Sequence, residues 1–409
     1  MGGFRVDSKR CHKAPNKQNT KAQTRAARSK NRKREYLFYV SLTNFNKKMK
    51  KLFRISCALA ALFVLGSCNP SEEGQKPNDE ATVAYDGGLF VLCEGSYGAG
   101  NSSLWHYNPE SKEVTADVFS TANDARLGDV GQSLYMYNGL LFVVVNNSGV
   151  VFALDRTTGE VKGMIDDLTS PRFIAIDASG TKGYISQMYT NELITFDPRT
   201  LERTGSVALE GVVGSEQMVV WGDRLFIASW SNDHKITVLD TDTDEQITTF
   251  EVGVQPYSMV LDKNDTLWVV CDGGNEYSEL PEGVTTEAPS LWKIDAETFA
   301  ATKTQTFEPG GYFRSRLGIN GEGDTLYFIY DAVWAIDVAT GELPAEPLIA
   351  IEGWGQYGIG IDPVSEEIYI ADAKDYVSNG EVLRYNSQGE LIDTFEVGLL
   401  PSKFAFFSE

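Results

Sequence analysis

The chain has 409 residues, with 36 Lys and Arg against 57 Asp and Glu for a formal charge of −21. That average hides two halves: residues 1–67 hold 17 basic residues and only Asp7 and Glu35 as acids, leaving 19 basic and 55 acidic residues, a formal −36, from Cys68 onward. A surface of that sign repels nucleic acid and anionic lipid, which excludes nucleic acid as an expected partner of the region after residue 67.

Residues 1–48 are rich in Lys, Arg, Asn and Gln and show no apolar periodicity, a composition that cannot bury a core. They read either as a basic arm or as an upstream extension that is not native to the protein, and the next segment favours the second. Met49 is followed by KKLFRISCALAALFVLGSC, a positive start, an apolar run and small residues before a cysteine, which predicts a secretory signal over 49–67. The run is too short for a stable membrane span of about 20 residues. Leu65-Gly66-Ser67-Cys68 resembles the lipobox of bacterial lipoproteins, so Cys68 is the expected lipidation site, with more than one acyl chain for stable anchoring. Asn69 to Glu73 resembles the short acidic signal that sends Bacteroidetes lipoproteins to the outer face of the outer membrane. Residues 68–82, dominated by Glu, Gly, Pro, Asn and Asp, read as a flexible tether, and the fold is expected over 83–409.

From there the pattern is short β-rich runs separated by Gly, Asn, Asp and Pro turns, without a stretch of helical period. One figure recurs: a strand that ends on an acid or amide and then reverses. It appears at Asn108, Asp155, Asp197, Asp240, Asp295, Asp337 and Asn386, with spacings of 47, 42, 43, 55, 42 and 49 residues. Four runs per repeat at a period of about 40 to 50 residues predict a β-propeller, and seven markers predict seven blades of an all-β fold. The first repeat supplies only LFVLC, SLWHYN and EVTADVF, while the C-terminus supplies an orphan run, PSKFAFF, that parallels the inner runs SPRFIAI and QPYSMVL. The last strand is therefore expected to complete blade one and close the ring.

In such a ring, the segments before each inner strand and those between second and third strands open on one face around the channel. They contain EGSYGAGN, QMYTN, WSNDH, the long excursion Asp272 to Ser290, and AKDYVSN. This gathers Tyr97, Tyr189, Trp230, Tyr257, Tyr312, Trp354, Tyr357 and Tyr376 with Arg172, Arg314 and Arg316 as candidate ligand-binding residues. Aromatic planes give large contact area at low entropic cost, although the same rings also serve blade-to-blade packing. In an alternating strand Tyr312-Phe313-Arg314-Ser315-Arg316, both arginines would point the same way, into the channel, with Asp129 and Glu216 as acidic partners.

Catalytic constellations are largely missing; paired carboxylates are everywhere in so acidic a chain, and none stands out as a glycosidase pair. After Cys68 there are two histidines, His106 in mid-strand and His234 in a face loop, and no nucleophile elbow or phosphate loop. Neither the histidines nor the cysteines have metal-ligand spacing, so no metal is expected; Cys93 and Cys271 close equivalent apolar runs and read as buried strand residues. Asp262-Lys263-Asn264-Asp265 could ligate Ca²⁺ but also fits a tight turn.

GGLFVLCEGSYGAGNSSLWHYNPESKEV, followed by LGDVGQSLYMYNGLLFVVVNNSGVVFALD, resembles the YVTN-type propeller lipoproteins of gut Bacteroidetes, the DUF5074 group. The resemblance runs from Gly87 to the C-terminus, with Cys93 where the group's opening motif has Asn. It implies a lipid-anchored protein of the outer membrane, exposed on the cell surface. Members of the group include lipoproteins of cobalamin-uptake loci that capture the vitamin and pass it to a TonB-dependent transporter. The expectation is thus a binding protein without enzymatic activity or catalytic cofactor, with cobalamin or another corrinoid as transported ligand. A glycan- or protein-binding module of a surface complex is the alternative, and a lactonase-type or polysaccharide-cleaving enzyme a third class.

Overall fold

The computed structural model describes residues 84–407. The expected extension, signal, lipidated Cys68 and tether lie outside the described residues. Within them, seven antiparallel sheets form a closed propeller, six with four strands and one with three. Blade one is ordered Pro401–Phe406, Leu89–Cys93, Ser103–Asn108 and Glu113–Thr115 from the inside outward, so the C-terminal strand does complete the first blade. Its register runs from Leu89 against Phe406 to Cys93 against Pro401.

The apolar runs read from the sequence are the second strands. Each has a blade on both faces, so nearly every side chain is buried: Leu89–Cys93 throughout, and all but the first residue of Leu140–Val145. Period-2 alternation then divides the side chains between neighbours. Phe90 and Leu92 pack with Leu141 and Val143 of blade two. Leu89, Val91 and Cys93 face the other way and pack with Tyr369, Val382 and Phe395 of blade seven. Cys93 and Cys271 are both buried and free.

The repeated marker holds the outer turns. In all seven copies its side-chain oxygen accepts backbone N–H groups two or three residues on; Asp155, for example, accepts from Thr157 and Thr158, and Asp240 from Asp242 and Thr243. This is the Asx-turn chemistry of short acidic and amide side chains. Asp262 belongs to a second set of turns, accepting from Asn264, Thr266 and the Trp268 indole, so DKND is a turn.

Three local readings are corrected. The run EVTADVF is a strand only to Thr115; Asp117 turns the chain with a left-handed φ of 42°, and Val118–Asn123 is a short helix, α1. A helical turn sends both Val118 and Phe119 into the seam between blades one and two, which an alternating strand cannot do. In blade six the outer position is reduced to a bridge between Val333 and Ile349, because Pro344 and Pro347 remove two ladder donors. Its inner strand is only Gly318–Ile319, so the segment from Tyr312 to Arg316 is not an alternating strand. There the Ser315 hydroxyl takes the N–H of Ile329 in the place of a backbone carbonyl.

Candidate functional site

In five blades the residue after the second strand returns to the residue before the inner strand of its own blade: Glu94 N–H to Leu400, Asn146 to Val130, Met188 to Ser170, Asp272 to Gln255 and Ala373 to Gly355. Both sets of segments therefore open at one end of the ring, as the repeat pattern predicts. At that end the blades deliver Gln132, Arg172, Glu216, Tyr257, Arg316, Tyr357 and Lys403, one residue each, into the channel.

Glu216, 1 % exposed, is the hub. Arg172 binds it through two nitrogens at 2.7 and 2.9 Å and donates a third hydrogen bond to Gln132. Arg316 approaches from the far side, with Nη2 at 2.6 Å from Glu216, Nη1 on the Tyr257 carbonyl, and its guanidinium plane near the rings of Phe173 and Tyr257 at 4.3 and 4.5 Å. Burial alone would push the Glu216 carboxyl up; the charges and hydrogen bonds of the two arginines outweigh it and hold the group below the ordinary range. A second pair lies beside this one: Tyr357 donates to Glu94 Oε2 at 3.0 Å, and Lys403 stands 3.5 Å from Oε1. Burial lowers the Lys403 ammonium to about 8, against the opposing pull of Glu94.

The acidic partner of the arginines is thus Glu216 alone. Asp129, the other expected partner, instead accepts from the Gly98 N–H and the Asn147 amide at the rim. The two arginines of YFRSR also diverge, as the irregular backbone there requires. Arg316 enters the channel, whereas Arg314 reaches the Gly353 carbonyl and Gln356 and lies 5.9 Å from the Trp354 ring.

Above the ion layer, Trp230 and Asp272 occupy equivalent positions on blades four and five, and the indole N–H donates to Asp272 Oδ2 at 3.0 Å. Trp230 also faces Tyr257 at 6.2 Å and Arg172 at 5.9 Å. Asp272 Oδ1 is buried without a partner, and burial raises this carboxyl to about 7. The excursion that follows Asp272 folds over as a wall, fixed by the Glu279 N–H on Asn232 and by Glu287 on the Val254 N–H. Beneath it is a cavity of about 500 Å³ lined by Trp230, Asn232, Gln255, Asp272, Asn275, Tyr277 and Tyr312. A smaller cavity of about 180 Å³ continues between Asp272, Tyr312, Arg314, Tyr357 and Tyr376. Trp354 stands 74 % exposed at its edge, held through its carbonyl by the Tyr376 hydroxyl.

Nine of the eleven candidate residues therefore meet around the channel mouth. Tyr97 and Tyr189, 81 % and 68 % exposed, stand on their own loops away from the other rings. His234 is held between Asp233 and Glu251 at 3.3 Å each, and His106 is buried against the Gly87 carbonyl. Among the described residues no three Cys, His, Asp or Glu side chains form a metal-binding group. Two members of the cluster, Glu94 and Asp272, were not singled out from the sequence. Their signal is an acid directly after a fully apolar second strand, LFVLC-Glu94 and LWVVC-Asp272, where the chain turns back toward the channel.

A family profile described as Domain of unknown function (DUF5074) matches residues 87–406. No curated protein matches the chain. Among solved structures, a quinoprotein alcohol dehydrogenase-like protein of Bacteroides thetaiotaomicron superposes with a TM-score of 0.59 at 16 % identity, over 78 % of each chain. A periplasmic gluconolactonase of Pseudomonas aeruginosa gives 0.58 at 15 %, over 78 % of this chain and 99 % of its own. Hydrazine synthase of Kuenenia stuttgartiensis gives 0.54 at 13 %, over 69 % and 89 %. At these identities the likeness is one of fold, and its bearers include enzymes of unrelated chemistry.

Proposed function

Since the chain belongs to the DUF5074 family, whose description carries no activity, we propose a function from the face itself: a ligand-binding propeller without catalysis of its own, whose ligand is cobalamin or another corrinoid. The observation that carries this reading is the group of solvent-facing aromatic rings, Tyr312, Trp354, Tyr376 and Tyr277, at two cavities that share Asp272 and Tyr312 in their linings, with Arg314 beside the smaller one. Rigid rings suit the faces and edges of a broad macrocycle, and Gln255, Asn232 and Asn275 suit its peripheral amides. Arg314, at the rim, suits an anionic group of the ligand. The expected lipid on Cys68 would hold this face at the cell surface, where a TonB-dependent transporter takes over the ligand.

Titration of the purified protein with cyanocobalamin and cobinamide tests the reading; no binding at micromolar ligand sinks it. The same indole, carboxyl and amide groups also suit the hydroxyls of a glycan, and a glycan- or protein-binding module predicts capture of an outer-membrane partner without any corrinoid.

A further inference from the structure

The channel holds an excess of positive charge beneath the aromatic face. Arg172, Arg316 and Lys403 meet only two carboxylates there, Glu216 and Glu94. Glu216 is saturated by the two guanidiniums. Lys403, an ammonium with three donors, has a single carboxylate contact at 3.5 Å, well beyond the ~2.8 Å of a good charge-assisted hydrogen bond. Asp272, raised to about 7 by burial, offsets the excess only in part. Two further polar atoms in the same place lack partners: Arg316 Nε, and the hydroxyl of Ser402, a residue 3 % exposed. Lys403, Arg316 and Ser402, with Gln217, Tyr257 and Tyr357, line one cavity of about 140 Å³. Buried donors without acceptors and a buried cation with one distant carboxylate are each costly, and one small anion would relieve both.

We propose that this cavity is a binding site for a small oxyanion, a carboxylate or phosphate group, held by Lys403, Arg316 and Ser402. Its size admits a few water volumes of ~30 Å³ each, which suits a group the size of acetate or phosphate. The anion is either a free ion or the charged arm of a ligand seated on the aromatic face above. The inference rests on the channel's own charges and does not require the corrinoid reading.

Calorimetric titration of the purified protein at pH 7 with sodium phosphate, and separately with sodium acetate, in HEPES of matched ionic strength tests it. The expected result is one-to-one saturable binding with a Kd of about a millimolar or below for at least one of the two ions. Glu94→Gln, which removes the only carboxylate on Lys403, should tighten binding about tenfold, and Lys403→Met should weaken it by more than tenfold. Lys403→Arg keeps the charge and should keep the binding, which leaves the test readable if Lys403→Met melts early. No saturable heat up to about 20 mM of either ion, in both the native protein and Glu94→Gln, overturns the site; so does binding that Lys403→Met leaves unchanged. If cyanocobalamin binds, acetate that weakens it at least about threefold assigns the site to a ligand-borne group, and acetate binding without competition assigns it to the free ion.

Discussion

Arg316 on blade six and Glu216 on blade four, 100 residues apart in sequence, meet at 2.6 Å across the channel axis. With Arg172 they fasten blades three, four and six through one carboxylate. Glu216→Gln keeps the volume and removes the charge, leaving two buried guanidiniums uncompensated. It should lower stability by about 3–5 kcal/mol, read from urea melts, whereas neutralising the surface turn residue Asp197 should cost far less. Equal losses from the two variants would remove the hub from the account.

Asp272 makes stability depend on pH. Its folded-state value of about 7 lies above the 3.8 of a free aspartate, so between those values the folded protein holds the proton more tightly. The stabilisation is fully present below the unfolded value and is lost as pH rises toward 7. Asp272→Asn should therefore flatten the decline in melting temperature between about pH 4 and 7. The fluorescence of Trp230, whose indole donates to this carboxyl, should titrate near neutrality, and the step should vanish in Trp230→Phe.

The repeated turn acids are individually modest. Asp155→Ala frees the Thr157 and Thr158 N–H groups at the surface, where water replaces the acceptor, and should cost about 1 kcal/mol in a denaturant melt. Gly358→Ala should cost more, about 2–3 kcal/mol, because a methyl there would overlap the carbonyl of Ser402, where the inner strands of blades seven and one press together.

Removal of residues 400–409 takes away the inner strand of blade one and uncovers the edge of Leu89–Cys93. The whole ring should lose its cooperative melt. A truncated protein with an unchanged midpoint would show that closure is dispensable.

For binding, Trp354→Ala and Tyr312→Ala should each weaken cyanocobalamin by about tenfold, within the range of an aromatic anchor, without shifting the melting temperature. An unchanged Kd for both would move any ligand off this face.

The ring was legible because its causes are local. Apolar runs with a blade on each face, turn acids every 40 to 50 residues and the orphan PSKFAFF all repeat, and repetition needs no knowledge of what lies across the channel. The site was legible only in part. The sequence places Arg172, Arg316 and Tyr357 near the mouth, but the partnership of Arg316 with Glu216 rather than Asp129 depends on how a ring of seven blades brings distant positions together. Arg314 was misread for a different reason: the Ser315 hydroxyl substitutes for a backbone acceptor and breaks the alternation that would have aligned it with Arg316. Asp272 and Glu94 were hidden because, in a chain with 57 acids, burial rather than residue type sets them apart.

Because Leu89–Cys93 waits for Pro401–Phe406 as its neighbour, the earliest strand of the ring cannot be completed until more than 300 intervening residues have been made. The ring therefore closes only once the whole chain is available, whereas the other six blades are each built from strands close in sequence.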